Sequence, residues 1–325
     1  RRYIMKYDKI IGLEKKISKL IMGNDNQEDY DEACKLWDHW ISVGGNAFDN
    51  AHIYGGGSME SLLGRWHKSR NNLNEIVIIA KGAHTPNCNP QSLSSQLTES
   101  LDRLKTECAD IYIMHRDNLD IPVGEFIDVL NEEKNIGRIK IFGGSNWTLE
   151  RFMEANHWAK IHDKQGFSIL NNNLALCKMI NPLWDGCVSS NDEAILDYLE
   201  ESQIAHLSWS SQGRGYFLPD MLTKKIEEDI TISETWRAPG EHSSGPLSCF
   251  DSKDNRERKL RANSLAKNLQ TSAQNIAGAW PLNLKFPSFA LIGPRNIYEL
   301  NSSLNNLDIN LNYEQVRWLN LSEGN

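Results

Sequence analysis

Three short apolar segments of the chain each lead into an ionisable side chain. The residues at these positions are Asp49, Lys81 and His115, and a glycine-rich loop that carries Tyr54 follows the first segment. Short apolar runs of this kind are typical of buried strands. In a barrel of parallel strands the C-terminal strand ends meet on one face, so we expect these four side chains to converge.

Together the four residues could deliver a proton to an oxygen atom. A tyrosine phenol has a pKa of roughly 10, so Tyr54 needs a neighbouring cation to act as a general acid near neutral pH. Lys81 is expected to be that cation, and Asp49 would pair with it. His115 could donate a hydrogen bond to a substrate carbonyl oxygen. None of these groups carries reducing electrons, so a reduction would require a hydride from a cofactor.

The segments between the apolar runs predict helices that alternate with strands. Leucines at positions 93, 97, 101 and 104, for example, form a helical stripe behind the start signal Asn89 and Pro90. About eight repetitions favour a closed (β/α)8 barrel, the α/β TIM-barrel fold, over an open doubly wound sheet. No linker or internal repeat is visible, so residues 1–325 are expected to form a single domain. Residues 216–251, after the seventh strand, are interpreted as a long irregular substrate loop.

The composition excludes several classes of protein. The chain has 325 residues, of which 40% are hydrophobic and 24% are charged, and its net charge is −8. This charge and the lack of a basic patch argue against a nucleic-acid partner. Six scattered cysteines without a C-x-x-C pair, and no secretory or membrane-spanning segment, predict a cytoplasmic protein without membrane association. No metal is expected, because histidines, cysteines and carboxylates lack ligand spacing.

Five short motifs occur in a recognisable order. They are Phe48-Asp49 with Tyr54-Gly55 and Glu60, then Ala80-Lys81, His115-Arg116, Gly144 to Trp147, and Leu291 to Arg295. In this order and spacing they resemble the aldo-keto reductase superfamily, of the bacterial type, over nearly the whole chain. The resemblance implies reduction of an aldehyde, ketone or sugar to an alcohol, with hydride from a nicotinamide cofactor and a proton from Tyr54. Asp49, Lys81 and His115 would support Tyr54.

The resemblance also implies which residues bind the cofactor across the barrel mouth. Ser145 and Asn146 would hold the carboxamide, and Asn171 stands where the family usually has glutamine, so its contact would be shorter or lost. Trp209 would stack on the nicotinamide. The pyrophosphate would be wrapped by a loop that contains Ser210, Ser211, Gln212, Gly213 and Arg214.

The coenzyme preference depends on the start of a later helix. By the same resemblance, Arg295 would meet the adenosine phosphate at a helix N-terminus, which suits anions. Gly293 and Glu299 stand where some family members carry basic residues for the extra phosphate of NADP. We therefore predict NADP, with NAD as the alternative.

Other functions stay open at this stage. The fold could serve a nicotinamide-binding regulatory subunit that senses redox state, or a lyase or epimerase that uses Tyr54 and Lys81 without net redox chemistry. Asp49 and Lys81, taken alone, could also be a structural ion pair. A small polar substrate such as a sugar or hydroxyaldehyde is the expected partner, and the sequence does not indicate the oligomeric state.

Overall fold

A computed structural model of the chain describes residues 4–230 and 245–322, and within these residues eight parallel strands form a closed barrel. Two further short strands, β1 (Tyr7–Asp8) and β2 (Ile17–Ser18), pair antiparallel before the barrel begins. The barrel strands are β3 (Leu20–Gly23), β4 (Ala47–Asp49), β5 (Val77–Gly82), β6 (Ala109–Met114), β7 (Ile139–Ser145), β8 (Ile169–Asn171), β9 (Ala205–Ser208) and β10 (Ser288–Ile292). Strand β10 pairs with β3 and closes the ring, which confirms the predicted (β/α)8 barrel.

Helices surround the barrel and bury their apolar faces against it. Several begin with a side-chain cap, and the predicted start at Asn89 and Pro90 is present: the Asn89 side chain accepts a hydrogen bond from the Ser92 amide. The helices are α1 (Tyr30–Ser42), α2 (Ser58–Arg70), α3 (Pro90–Leu104), α4 (Val123–Asn135), α5 (Leu149–Ile161), α6 (Glu193–Ser202), α7 (Asp220–Ile230), α8 (Pro246–Phe250), α9 (Lys253–Asn268), α10 (Ala273–Ala279), α11 (Ile297–Leu304) and α12 (Tyr313–Leu319).

The hydrophobic core has two parts. One part lies between strands and helices, and the other fills the barrel interior with side chains such as Ile79, Ile113 and Leu207. Ile10 and Leu13, from the segment between β1 and β2, are buried in this inner core. That segment therefore covers the N-terminal end of the barrel, and the opposite end is left for the polar side chains.

The stretch 216–251 differs from the irregular loop that the sequence predicted. It contains α7 and α8, while residues 231–244 lie outside the described part of the chain. Leu222 and Ile226 stand four positions apart on α7, the spacing of an apolar helix face, so the sequence already carried a signal for this helix. A polar contact joins the helices, since the Glu227 carboxylate accepts hydrogen bonds from the amides of Leu247 (2.7 Å) and Ser248 (3.2 Å).

Candidate active site

The strand period brings three ionisable side chains to the C-terminal mouth of the barrel. Side chains alternate between the two faces along a strand. Asp49, Lys81 and His115 each stand two positions after an inner-core residue, so their side chains point inward at the strand ends. The preceding inner-core residues are Ala47, Ile79 and Ile113.

Asp49 and Lys81 form a buried ion pair. Lys81 Nζ donates a hydrogen bond to Oδ2 of Asp49, and the two side chains are 3% and 4% exposed, respectively. Burial alone would lower the pKa of Lys81, but the charges of Asp49 and Tyr54 outweigh it and raise this pKa. Lys81 is therefore a permanent cation at neutral pH.

Tyr54 lies beside this cation. The turn Tyr54–Gly57 is a short 3-10 helix in which Gly55 and Gly56 adopt left-handed φ values of 55° and 62°, a conformation that favours glycine. Lys81 Nζ is 5.0 Å from the centroid of the Tyr54 ring. The His115 ring stands nearly perpendicular to the Tyr54 ring, with 5.8 Å between their centroids.

Burial raises the pKa of Tyr54 to about 12, although the charge of Lys81 and a hydrogen bond with it act in the opposite direction. The expected effect of the cation is thus present but smaller than the cost of desolvating a phenolate. The phenol keeps its proton throughout the neutral range and can serve as a donor.

His115 is neutral for a similar reason. Its pKa is lowered well below the usual value, first by burial and then by the charges of His84, Arg116 and Lys81. Its backbone amide donates to Gly82 O at 2.7 Å, which ties the residue to β5. A neutral imidazole held in this way can donate one hydrogen bond without carrying charge.

Two residues at the mouth were missed by the sequence analysis. His84 is buried with its ring centroid 4.8 Å from that of His115. Asp25 follows β3 by two residues, and burial raises its pKa while the charges of Arg214 and Lys81 oppose this. Both could have been found by examining every polar residue just after a strand.

Three of the predicted cofactor residues form one hydrogen-bonded group beside His115. The Ser145 hydroxyl donates to the backbone oxygen of Asn171 at 2.6 Å, and Asn146 Nδ2 donates to Ser145 Oγ at 3.1 Å. Asn171 Nδ2 donates to the backbone oxygen of Leu207 at 2.7 Å. The Asn171 side chain therefore contacts β9, and the group is held by β7, β8 and β9 together.

Trp209, which follows β9, is stacked on a second tryptophan. The Trp184 ring lies at an interplanar angle of 23° to it, with 5.4 Å between centroids. Nε1 of Trp209 is buried and has no hydrogen-bond partner among the described residues. The segment with Trp184 also contacts the hydrogen-bonded group of Ser145, Asn146 and Asn171, since Val188 N donates to Asn146 Oδ1 at 3.1 Å. Trp184 is thus a further mouth residue that the sequence analysis did not identify.

The loop after Trp209 curls tightly. Ser210 and Arg214 have φ values of 49° and 50°, and a Cβ on Gly213 would lie 2.4 Å from Cys177 Sγ, so this position requires glycine. Ser211 Oγ donates to Leu291 O at 2.8 Å, and Gln212 Nε2 donates to Ser303 Oγ at 3.3 Å. These side chains anchor the loop to β10 and α11.

Gly293, Arg295 and Glu299 lie beyond β10, near the start of α11. Asn26 Nδ2 donates to Gly293 O at 3.1 Å, which joins this segment to the loop after β3. The Arg295 side chain is 72% exposed and lies 3.1 Å from Glu299, whose carboxylate also accepts the Arg295 amide at 2.8 Å. Arg295 therefore contacts a carboxylate of its own segment, away from the buried ion pair.

The described residues contain neither a metal cluster nor a membrane-spanning helix. No group of three or more histidines, cysteines and carboxylates has the arrangement of a metal site there. No helix in residues 4–230 and 245–322 has the length and apolar character needed to cross a bilayer.

Several known proteins are similar to this chain over most of its length. Norsolorinic acid reductase of Aspergillus flavus is 23% identical over 94% of this chain and 74% of its own length. A probable aryl-alcohol dehydrogenase of Saccharomyces cerevisiae is 26% identical over 92% of this chain and 88% of its own. The NADP(+) aryl-alcohol dehydrogenase of Phanerodontia chrysosporium is 25% identical over 90% of this chain and 76% of its own.

A solved structure and a family model are also similar to this chain. The crystal structure of a thermostable aldo-keto reductase in complex with the inhibitor epalrestat shares the fold, with a TM-score of 0.72, 20% identity, and coverage of 98% of this chain and 99% of that one. A sequence model of the Aldo/keto reductase family matches residues 19–320. The chain therefore belongs to the aldo/keto reductase family.

Proposed function

We propose that this protein is an NADP-dependent reductase that converts the carbonyl group of an aldehyde, ketone or sugar to an alcohol. The observation that carries the proposal is the buried Lys81–Asp49 ion pair with the Tyr54 ring 5.0 Å from the lysine nitrogen. A phenol next to a permanent cation can release a proton into a water-poor site, because the cation stabilises the phenolate that forms.

Each catalytic residue has a separate task in this proposal. Tyr54, protonated at neutral pH, donates its proton to the carbonyl oxygen. Neutral His115 donates a hydrogen bond to the same oxygen and stabilises its developing negative charge. Asp49 holds Lys81 in place. Reversal of these proton movements would support oxidation of the alcohol.

The chain also has groups suited to a dinucleotide, which would supply the hydride. The buried Nε of Arg214 has no hydrogen-bond partner among the described residues, which fits an anionic group such as a pyrophosphate. Ser145, Asn146 and Asn171 would hold the carboxamide, and Trp209 would stack on the ring. The start of α11 with Arg295 suits a further phosphate.

NADP is the coenzyme that we favour, with NAD as the alternative. One relative is named as an NADP(+) enzyme, and Arg295 supplies a cation at the proposed adenosine site. Glu299 contacts Arg295, so a carboxylate would also lie at the proposed adenosine site and would weaken the preference for NADP over NAD.

Residues at the barrel mouth suit two classes of substrate. Asp25 could accept hydrogen bonds from a hydroxyl-rich substrate, as expected for a sugar or hydroxyaldehyde. The Trp184–Trp209 stack would suit an aromatic carbonyl, and the relatives named above are a norsolorinic acid reductase and aryl-alcohol dehydrogenases. Both classes therefore belong in the test. The cytoplasm is the proposed compartment, because the six cysteines are scattered along the sequence and form no C-x-x-C motif.

The decisive experiment follows NADPH and NADH oxidation with aryl aldehydes, aliphatic aldehydes, ketones and sugars. Tyr54→Phe is run beside wild type, and Tyr112→Phe is the matched control. The Tyr112 hydroxyl is also buried but has no hydrogen-bond partner among the described residues and packs between strand and helices. We expect carbonyl-dependent oxidation that falls roughly 10²–10⁴-fold in Tyr54→Phe and persists in Tyr112→Phe.

Other outcomes would change the proposal. Tight cofactor binding without turnover on any substrate would favour a redox-sensing subunit. Conversion of a substrate without net cofactor consumption would favour a lyase or epimerase. Failure to bind either cofactor would refute the assignment.

A further inference from the structure

A buried ion pair lies behind the loop that carries Tyr54. Glu60, near the start of α2, is fully buried, and its Oε2 is 3.3 Å from Nη1 of Arg103 in the last turn of α3. Arg103 Nη2 lies 3.2 Å from Glu99 on the same helix. The pair joins two neighbouring helices, but the contacts of Arg103 extend beyond them.

Arg103 also contacts the Tyr54 loop, residues 52–57, at both of its ends. Nη1 of Arg103 donates a hydrogen bond to the backbone oxygen of His52 at 3.1 Å. A Cβ placed on Gly57 would lie 2.4 Å from the guanidinium carbon, so the guanidinium packs directly on the Gly57 backbone. One planar group therefore bridges the residues that flank Tyr54.

The loop needs such an anchor because of its composition. Residues 55–57 are all glycine with positive φ, so this half of the loop has no side chains to pack and has high conformational freedom. The other half is held by backbone bonds, from His52 N to Lys81 O at 2.8 Å and from Tyr54 N to Ala51 O at 3.0 Å. In the glycine half, the packing of Arg103 on Gly57 adds to a backbone bond from Gly56 N to Ile53 O at 3.0 Å.

We propose that Arg103, held by Glu60, is a positioning residue for the Tyr54 phenol. The predicted change in kcat rests on the proposed reductase function. The predicted change in the conformation of the Tyr54 loop does not. Arg103 acts through the loop backbone and does not touch the proposed substrate site. Its fork of N–H groups can reach Glu60, Glu99 and the His52 oxygen together, which the single ammonium of a lysine cannot do with the same geometry.

The test compares two pairs of substitutions with similar burial. Arg103→Met with Glu60→Gln removes both charges and avoids a stranded buried carboxylate. Arg138→Met with Glu133→Gln is the matched control, since that ion pair is 2.7 Å long with side chains 27% and 7% exposed, against 26% and 0% for Arg103 and Glu60. Arg138 directly precedes β7, at the opposite end of the barrel.

We expect the first pair to lower kcat for carbonyl reduction roughly 10- to 100-fold, because an error of about 1 Å in the position of a reacting group has effects of this size. The KM should change less than about 2-fold, because substrate contacts remain. The control pair should leave both constants near wild type. Arg103→Lys should give an intermediate kcat. If Arg103 had only a structural role, the charge retained in this variant would restore the wild-type kcat.

A second measurement reports on the conformation of the Tyr54 loop and does not depend on enzyme activity. NMR spectra of ring-labelled tyrosine, with the Tyr54 signal assigned by Tyr54→Phe, should show that this signal shifts or broadens in the Arg103 pair and not in the control pair. An unmoved Tyr54 signal, or an unchanged kcat, would overturn the positioning role. If wild type consumes no cofactor with any carbonyl while the signal still moves, the reductase function fails and the positioning role stands.

Discussion

Replacing Lys81 with methionine would test how the buried ion pair affects both stability and catalysis. The substitution leaves the Asp49 carboxylate, which is 2% exposed, without its cation. Removing one partner of a buried ion pair costs about 3–5 kcal/mol. We therefore expect Lys81→Met to lower the free energy of unfolding by about that amount, measured by urea denaturation with tryptophan fluorescence.

The same substitution removes the largest effect that lowers the pKa of Tyr54. The phenolate becomes less stable, so proton donation from Tyr54 becomes harder. We expect the rate of NADPH-dependent carbonyl reduction to fall roughly 10²–10⁴-fold, the usual contribution of a positioned general acid.

The double variant with Asp49→Asn and Lys81→Met distinguishes the two effects. It removes the stranded charge, so the free energy of unfolding should return to within about 1–2 kcal/mol of wild type, whereas activity should not return. Lys15→Met is a suitable control, because Asp110 would keep its second cation, Lys140, at 2.7 Å. Recovery of activity in the double variant, or full stability of Lys81→Met alone, would refute the reasoning.

Two further predictions follow from other charged groups. Glu299→Gln removes the carboxylate that contacts Arg295, so the ratio of kcat/KM for NADPH to that for NADH should rise roughly 3- to 10-fold, about 1 kcal/mol; an unchanged ratio would exclude Glu299 from coenzyme selection. His206 is fully buried, and burial lowers its pKa to about 3 from 6.5, so the unfolded chain binds the extra proton between these values. Stability from this group is present above pH 6.5 and is lost as pH falls towards 3, at about 1.4 kcal/mol per pH unit. Urea denaturation between pH 6.5 and 4.5 should therefore show a steeper loss for wild type than for His206→Gln, and parallel slopes would contradict this.

Local sequence patterns were sufficient for the barrel and for the direction of its polar residues. The strand period relates Asp49 to Ala47 and Lys81 to Ile79, so an apolar run that ends in a polar residue already predicts an inward polar group at the mouth. Alternating strand and helix signals predicted the closed barrel in the same way. The helical spacing of Leu222 and Ile226 in α7 was also present in the sequence, whereas the contact of this helix with α8 through Glu227 was visible only in the structure.

Relations between distant segments were decided only by tertiary structure. Arg103 contacts the Tyr54 loop from a helix some fifty residues later in the chain. The ring of His84, which follows β5, lies beside the ring of His115, which follows β6. No local pattern encodes the contact of Arg103, and the contact between the two histidines follows only once β5 and β6 are known to be neighbours. The sequence by itself determined which residue types end the strands. The packed barrel decided their protonation, raising the pKa of Tyr54 and lowering that of His115, because desolvation depends on every segment that surrounds a group.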